Sequence, residues 1–338
     1  MSLEKKIKTL IAGLGSINLQ DFVEISNFDD VQGFYNSREN EKIGKLGHFI
    51  TTPEISSLFG YCLCEQFLSK FPLVNKVHLL ELGPGNGLLT KDIWEYLRQK
   101  KIEVTQISLL EKSKYFEEKI QETMPYSCRI YKDLNQITFK DNGVVFIYSN
   151  EFFDAFGSRQ FIYNDRQFCE IKIEYKNDKF HLIRENTLLS DYLIKFYSDY
   201  AFEEGDIIEH SNLILNLLED LKSKLYGDFY FTATDYGYRS LPKTSTLRLI
   251  SNQQKINLFE CFENVDYSFS VNFELIKKVF QMFNPVISSQ KDLVNDFLTE
   301  DIKKIDKVNF NKAHEIITSN KFDNMGDIFL NISFGSIS

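Results

Sequence analysis

Apolar residues along the middle of the chain alternate between short continuous runs and helical stripes. Leu79, Leu80 and Leu82 form one run, and Leu89, Ile93, Trp94 and Leu97 then recur at spacings of three and four, as on a helix lying over a sheet. Val104–Leu110 is a second run, Lys114–Glu122 a second helical segment, and Arg129–Lys132 and Val144–Tyr148 are two further strands. This β/α order predicts an α/β fold with a doubly wound, mainly parallel sheet covered on both faces.

Upstream, residues 3–70 read as helical with one loop. Leu3–Leu14 and Asp21–Ile25 are short, 33–47 is polar, and a helix is expected from Thr51 through Leu58, Phe59, Leu63 and Phe67 to about Lys70. Thr51 and Glu54 have capping-box spacing, and Pro53 lies in the first turn, where its missing N–H is harmless. Downstream the rhythm breaks. Residues 161–183 alternate as a hairpin turning at Asn177–Asp178, and 188–200 is helical. Helices are expected at Ile207–Leu225, Asn272–Met282 and near Leu293, and strands at Phe229–Thr234 and Asp327–Ile332, with an apolar run near Pro285. The pattern divides the chain into an N-terminal helical cap (1–70), the first half of a nucleotide-binding core (71–160), an inserted substrate-facing hairpin with helices (161–205) and the rest of the core (206–338).

At 338 residues and 43% hydrophobic content, the chain has material for a large core with an embellishment. A net charge of −9, without a basic stripe, argues against nucleic acid as a partner. Five scattered cysteines and five dispersed histidines fit a reducing compartment and give no metal-ligand spacing. The N-terminus has no secretory or transit pattern, and no apolar run has the length of a membrane span; a cytoplasmic protein is expected.

The chemistry concentrates at Glu81-Leu-Gly-Pro-Gly-Asn-Gly87, between a strand and a helix. Gly83, Gly85 and Gly87 permit a sharp turn and close approach of a ligand. The spacing departs from the dinucleotide fingerprint, Pro84 removes an N–H donor, and Glu81 puts a negative charge at the mouth of the turn. A pyrophosphate is repelled there, whereas S-adenosylmethionine presents an ammonium and a sulfonium and has no phosphate. Glu111, ending the next strand, is placed to accept the ribose hydroxyls. After the fourth strand come Asn150, Glu151 and Asp154, where a methyl acceptor is expected. On a helical turn Glu151 and Asp154 share a face, beside Phe152 and Phe153, and suit a cationic or amide nitrogen. The bland alternatives remain a structural strand-to-helix turn, a solvated Glu111, and acidic residues favoured by a helix N-terminus.

Five ordered motifs, Gly47-x-Phe-Ile-Thr-Thr-Pro-Glu-Ile-Ser56, Glu81-Leu-Gly-Pro-Gly-Asn-Gly87, Asn150-Glu-Phe-Phe-Asp-Ala155, Asp235-Tyr-Gly237 and Met325-Gly-Asp-Ile-Phe329, resemble the MidA-like methyltransferase family over roughly residues 33–332. The resemblance implies a class I methyltransferase fold and S-adenosylmethionine as cofactor. By similarity to the family's mitochondrial member, it implies symmetric dimethylation of an arginine in a core subunit of respiratory complex I. On this reading Glu81, Gly83, Gly85 and Gly87 hold the methionine part and Glu111 the ribose. Asp133 and Leu134 line the adenine edge, Thr52 and Glu54 close over the cofactor, and Glu151, Asp154 and Asn150 serve the acceptor nitrogen. The chain departs from the family at His48, Asn86 and Gly157, of which His48 and Gly157 are expected near the acceptor side. A protein substrate and a homodimer are expected, without membrane insertion. Methylation of another protein or small-molecule nitrogen, and a non-catalytic assembly factor, are the alternative readings.

Overall fold

The structure is a computed structural model that describes residues 1–38, 42–44, 50–124, 126–139, 143–252, 254–305, 310–319 and 325–337. The chain forms two compact units, one of residues 38–153, 217–239 and 271–338 and the other of residues 1–37, 154–216 and 240–270.

The first unit is built on a seven-stranded path of β1 (Lys76–Leu82), β2 (Glu103–Leu110), β3 (Arg129–Tyr131), β4 (Val144–Asn150), β5 (Phe229–Tyr238), β6 (Val286–Ser289) and β7 (Phe329–Ser336). Their order across the sheet is β3-β2-β1-β4-β5-β7-β6. The five strands from β3 to β5 pair in parallel, and β7 runs antiparallel to both β5 and β6. Every residue of β4, and all of β1 except Lys76, is buried. Continuous apolar runs are what a strand buried on both faces requires. Helices α1 (Leu58–Lys70) and α2 (Leu88–Gln99) contribute to one core: Phe59, Leu63 and Phe67 of α1 and Leu89, Ile93 and Leu97 of α2 join Leu79, Leu109 and Phe146 of the sheet. The strand order reverses between β1 and β4, so the chain leaves these two strands in opposite directions and opens a crevice at their C-terminal ends.

A buried amide network fixes the far side of this sheet. Gln66 of α1 donates to Asn331 Oδ1 at 3.1 Å and accepts from Thr232 at 3.0 Å. Asn331 in turn donates to the hydroxyls of Thr232 and Thr234, at 2.8 and 2.9 Å. The network joins α1, β5 and the antiparallel β7.

The second unit is antiparallel. Strands Arg159–Asn164, Gln167–Lys176 and Lys179–Asn186 form consecutive hairpins, and Ile207–His210 pairs with the first of them. Asn177 and Asp178 both have left-handed φ, at 51° and 58°, as a tight hairpin turn demands. Helices Leu3–Leu14 and Leu19–Phe28 belong here, because Ile17 and Asn18 pair with Ile173 and Lys172. Phe22 packs edge-on to Tyr267 and Phe259, and Phe180 stacks on Phe259. The division therefore runs differently from the one expected: residues 1–37 group with the hairpin, and Leu58–Lys70 with the parallel sheet.

Several expected elements change. The helix expected from Thr51 is a single turn, Thr52–Ile55, followed by extended Ser56 and then α1. Thr51 makes no side-chain cap. Ser56 Oγ instead accepts the Leu58 N–H at 3.1 Å, a local bond that competes with helix continuation. The segment expected as a helix from Ile207 opens with a strand, because Ile207 and Ile208 extend the sheet, and the helix runs over Asn212–Lys224. Among the described residues no helix is long and apolar enough to cross a membrane.

Asn331→Leu keeps the volume but removes the acceptor of the Gln66 amide and the donor to two threonine hydroxyls in the core. It is expected to cost about 2–4 kcal/mol, read as a lowered denaturation midpoint in urea.

Candidate functional site

The crevice at the ends of β1 and β4 is lined first by the glycine turn. Gly83, Gly85 and Gly87 adopt left-handed φ of 67°, 53° and 83°. No side-chain residue holds three such conformations cheaply within five positions. The Gly83 N–H donates to Leu110 O at 3.0 Å and the Gly87 N–H to Pro84 O at 2.8 Å, tying the turn to the end of β2 and closing it on itself. Crowding adds a second reason for glycine. A Cβ on Gly83 would lie 2.3 Å from the Phe152 ring, and one on Gly85 would lie 2.9 Å from Ile43.

Glu81 is 2% exposed at the end of β1. The Thr90 hydroxyl donates to its carboxylate and lies 2.7 Å from the Tyr148 hydroxyl, so β1, α2 and β4 meet at one polar point. Burial pushes the Glu81 carboxyl up to about 8, opposed by the Thr90 hydroxyl and amide and reinforced by the charge of Glu111. Glu111 follows β2 and is also raised by burial, to about 7, although its carboxylate takes N–H bonds from Ser113 (2.8 Å), Gly85 and Lys112 and feels the charge of Lys132.

The other candidates differ in their surroundings. Leu134 is buried, whereas Asp133 is exposed and caps a short 3-10 turn through the Asn135 N–H at 2.7 Å. Glu54 accepts a hydrogen bond from the Asn86 amide, which brings the single turn Thr52–Ile55 to the glycine loop. Thr52 is turned elsewhere: its hydroxyl donates to Gln290 at 3.2 Å and lies 3.3 Å from Met325 Sδ.

Where the methyl acceptor is expected, Asn150 Nδ2 donates to Glu151 Oε1 at 2.9 Å. The helical face expected for Glu151 and Asp154 does not form. Glu151 has a left-handed φ of 50°, the following residues form a bend, and Asp154 opens the second unit. There burial raises the Asp154 carboxyl to about 6 while the Arg248 charge pulls it down. Gly157 also lies in the second unit, where a Cβ would fall 2.4 Å from Gln20 O; backbone packing accounts for the glycine. His48 lies outside the described residues. Two polar residues at Glu81, Thr90 and Tyr148, escaped sequence reasoning, and Asp235 stood only as a strand end and a motif residue, without a role in the site. Among the described residues no group of three or more His, Cys, Asp or Glu gathers to hold a metal ion.

The family described as "Putative S-adenosyl-L-methionine-dependent methyltransferase" matches residues 62–286. The mitochondrial protein arginine methyltransferase NDUFAF7 of Danio rerio is 25% identical over 309 residues, covering 82% of this chain and 72% of that protein. The Drosophila melanogaster homologue is 22% identical over 311 residues, covering 82% and 70%. Over a shorter stretch of 92 residues, 26% of this chain and 20% of that protein, identity to the Homo sapiens protein is 35%. A superfamily member from Burkholderia thailandensis, crystallised with S-adenosylhomocysteine, has the same fold, with a TM-score of 0.84 at 19% identity over 99% of this chain and 92% of that one.

The raised Glu81 carboxyl makes stability depend on pH. The folded state binds this proton more tightly than the unfolded chain, so the ligand-free protein loses stability as pH rises from about 4.5 through about 8. Glu81→Gln removes that dependence. The variant is expected to gain about 3 kcal/mol on the wild type between pH 6 and pH 9, measured by denaturation at both values.

Proposed function

Because the chain belongs to the S-adenosyl-L-methionine-dependent methyltransferase family, we propose that it methylates a nitrogen of an arginine side chain in a protein. The supporting relatives are named protein arginine methyltransferases. The acceptor we favour is an arginine in a respiratory complex I core subunit, dimethylated symmetrically, as the resemblance to the MidA-like family implies.

One observation carries the cofactor part of this reading. Two buried carboxyls, Glu81 and Glu111, end adjacent strands, and each is held towards its neutral form by burial. A cationic ligand relieves that cost, whereas a pyrophosphate adds to it. S-adenosylmethionine, the family's cofactor, meets the demand with its ammonium and sulfonium charges and supplies an electrophilic methyl group. In this reading Glu81 faces the ammonium and Gly83, Gly85 and Gly87 leave room for the methionine part. Glu111 accepts from the ribose, and Leu134 with Asp133 borders the adenine. Glu54 reaches the turn through Asn86. Thr52 supports the site from behind, its hydroxyl being engaged with Gln290.

On the acceptor side, Glu151 is the carboxylate we assign to the guanidinium. Held by Asn150, it draws the positive charge away from the attacking nitrogen and takes up the proton released as the methyl arrives. Asp154 faces the Arg248 charge, which leaves Glu151 as the acceptor-side base.

Calorimetric titration with S-adenosylmethionine is expected to show micromolar binding that Gly85→Val abolishes, since a branched side chain cannot share space with Ile43 and the ligand. Binding should release a proton from Glu81, so the apparent enthalpy at pH 7 should differ between phosphate and Tris, and affinity should rise between pH 6 and pH 8. Equal enthalpies in the two buffers would remove Glu81 from the ammonium site.

For the acceptor, mass spectrometry of purified complex I should find symmetric dimethylarginine only in cells containing the protein. Glu151→Gln should lower transfer by about 100-fold or more with cofactor affinity unchanged. Full methylation by that variant would dismiss Glu151 as the base.

A further inference from the structure

Asp235, Tyr236 and Gly237 lie towards the C-terminal end of β5, and the roles above assign them nothing. Asp235 is 1% exposed, and its carboxylate collects backbone donors. Oδ2 accepts from the N–H groups of Phe152 and Phe153, at 3.0 and 2.8 Å, and Oδ1 from Tyr236 at 2.8 Å. The Glu151 N–H donates to Thr234 O at 2.9 Å, so the end of β5 takes three successive amides of the bend that follows β4.

That bend is costly by itself. No helix receives its donors, and a left-handed φ at a non-glycine residue such as Glu151 costs of order 1–2 kcal/mol. The carboxylate satisfies the donors and thereby selects this one conformation. Its consequence lies across the crevice mouth. With its amide held, Phe152 places its ring where a side chain on Gly83 would project, 2.3 Å from the ideal Cβ position. The neighbouring motif residues anchor the clamp. Tyr236 packs on Phe329 of β7 with ring centroids 3.9 Å apart, and Gly237 makes room for the Phe273 ring, 2.3 Å from its ideal Cβ.

We infer that Asp235 is a positioning residue for cofactor binding: by holding the amides of Phe152 and Phe153 it seats the Phe152 ring against Gly83 and fixes the glycine turn in its binding shape. This rests on the reading of Gly83–Gly87 as the cofactor turn. The carboxylate acts through Phe152 and need not touch the ligand.

A double-mutant cycle on S-adenosylhomocysteine affinity tests it, by calorimetry on the full chain, with thermal melting alongside to certify folding. Asp235→Ala and Phe152→Ala are each expected to weaken binding about tenfold, and the double variant should be no weaker than the worse single one, because both changes break one linkage. Asp235→Asn, which keeps one acceptor oxygen, should fall between wild type and Asp235→Ala. A purely structural role would lower the melting temperature of Asp235→Ala and leave affinity in the folded protein unchanged, overturning the inference. Losses that multiply in the double variant also overturn it. Should Asp235→Ala not fold, Asp235→Asn and Phe152→Leu form the same cycle, and wild-type affinity in Phe152→Leu is then the overturning result. Failure of the wild-type chain to bind would sink the cofactor reading itself, and this inference with it.

Discussion

Glu81 leaves water at the end of a strand enclosed by neighbours on both sides, and the chain offers it chiefly the hydroxyl and amide of Thr90 in return. Its cost is tolerable because the surrounding parallel strands exclude water for reasons of their own: they are apolar on both faces and packed under α1 and α2. Moving Glu81 two positions back would place it within the sheet core, where no ligand reaches. Moving it two forward would place it inside the glycine turn. The strand end is the one stretch where a carboxyl is both desolvated and reachable, and that combination makes it responsive to a cation.

The glycine turn extends the same logic to the backbone. Three left-handed residues turn the chain between β1 and α2, and the Gly83 amide is tied to the end of β2. Glu111, two adjacent amides beyond that strand and the Gly85 amide then share one small volume. Rigidity here comes from crowding as much as from hydrogen bonds, since Phe152 and Ile43 occupy the spaces where side chains at Gly83 and Gly85 would project. A turn crowded in this way has few alternative conformations, which lowers the ordering cost of binding.

The parallel sheet and its glycine turn were legible in the sequence because both depend on local rules: continuous apolar runs, helical stripes and positive φ at glycine. The antiparallel unit was legible only in part. Asn177–Asp178 marked its hairpin, but no periodicity announces that Ile17 and Asn18 pair with Ile173 and Lys172. Residues 161–183 alternate as a hairpin, but the alternation does not show that Glu170 is buried, its charge met by a paired hydrogen bond from Arg159 at 2.6 Å for each contact. The helical face expected for Glu151 and Asp154 failed for a related reason. The conformation after β4 is held from β5, 82 residues or more away, by hydrogen bonds from backbone amides to a carboxylate, and backbone donors leave no trace in residue types.

Two buried acids at strand ends therefore do opposite work. Asp235 accepts from the backbone amides of Phe152, Phe153 and Tyr236, which the fold itself provides, and these bonds hold a bend in place. Among the described residues Glu81 accepts hydrogen bonds from Thr90 alone, and it is left with a carboxyl that burial drives towards neutrality. Residue type and topology are nearly the same in the two cases. Donor supply separates them: a carboxylate saturated by backbone N–H groups has little to gain from a ligand, whereas one that lacks such donors recovers its charge when a cation arrives. On this argument the crevice binds at the end of β1 and is shaped from the end of β5, and a change at either strand end should alter what the other achieves.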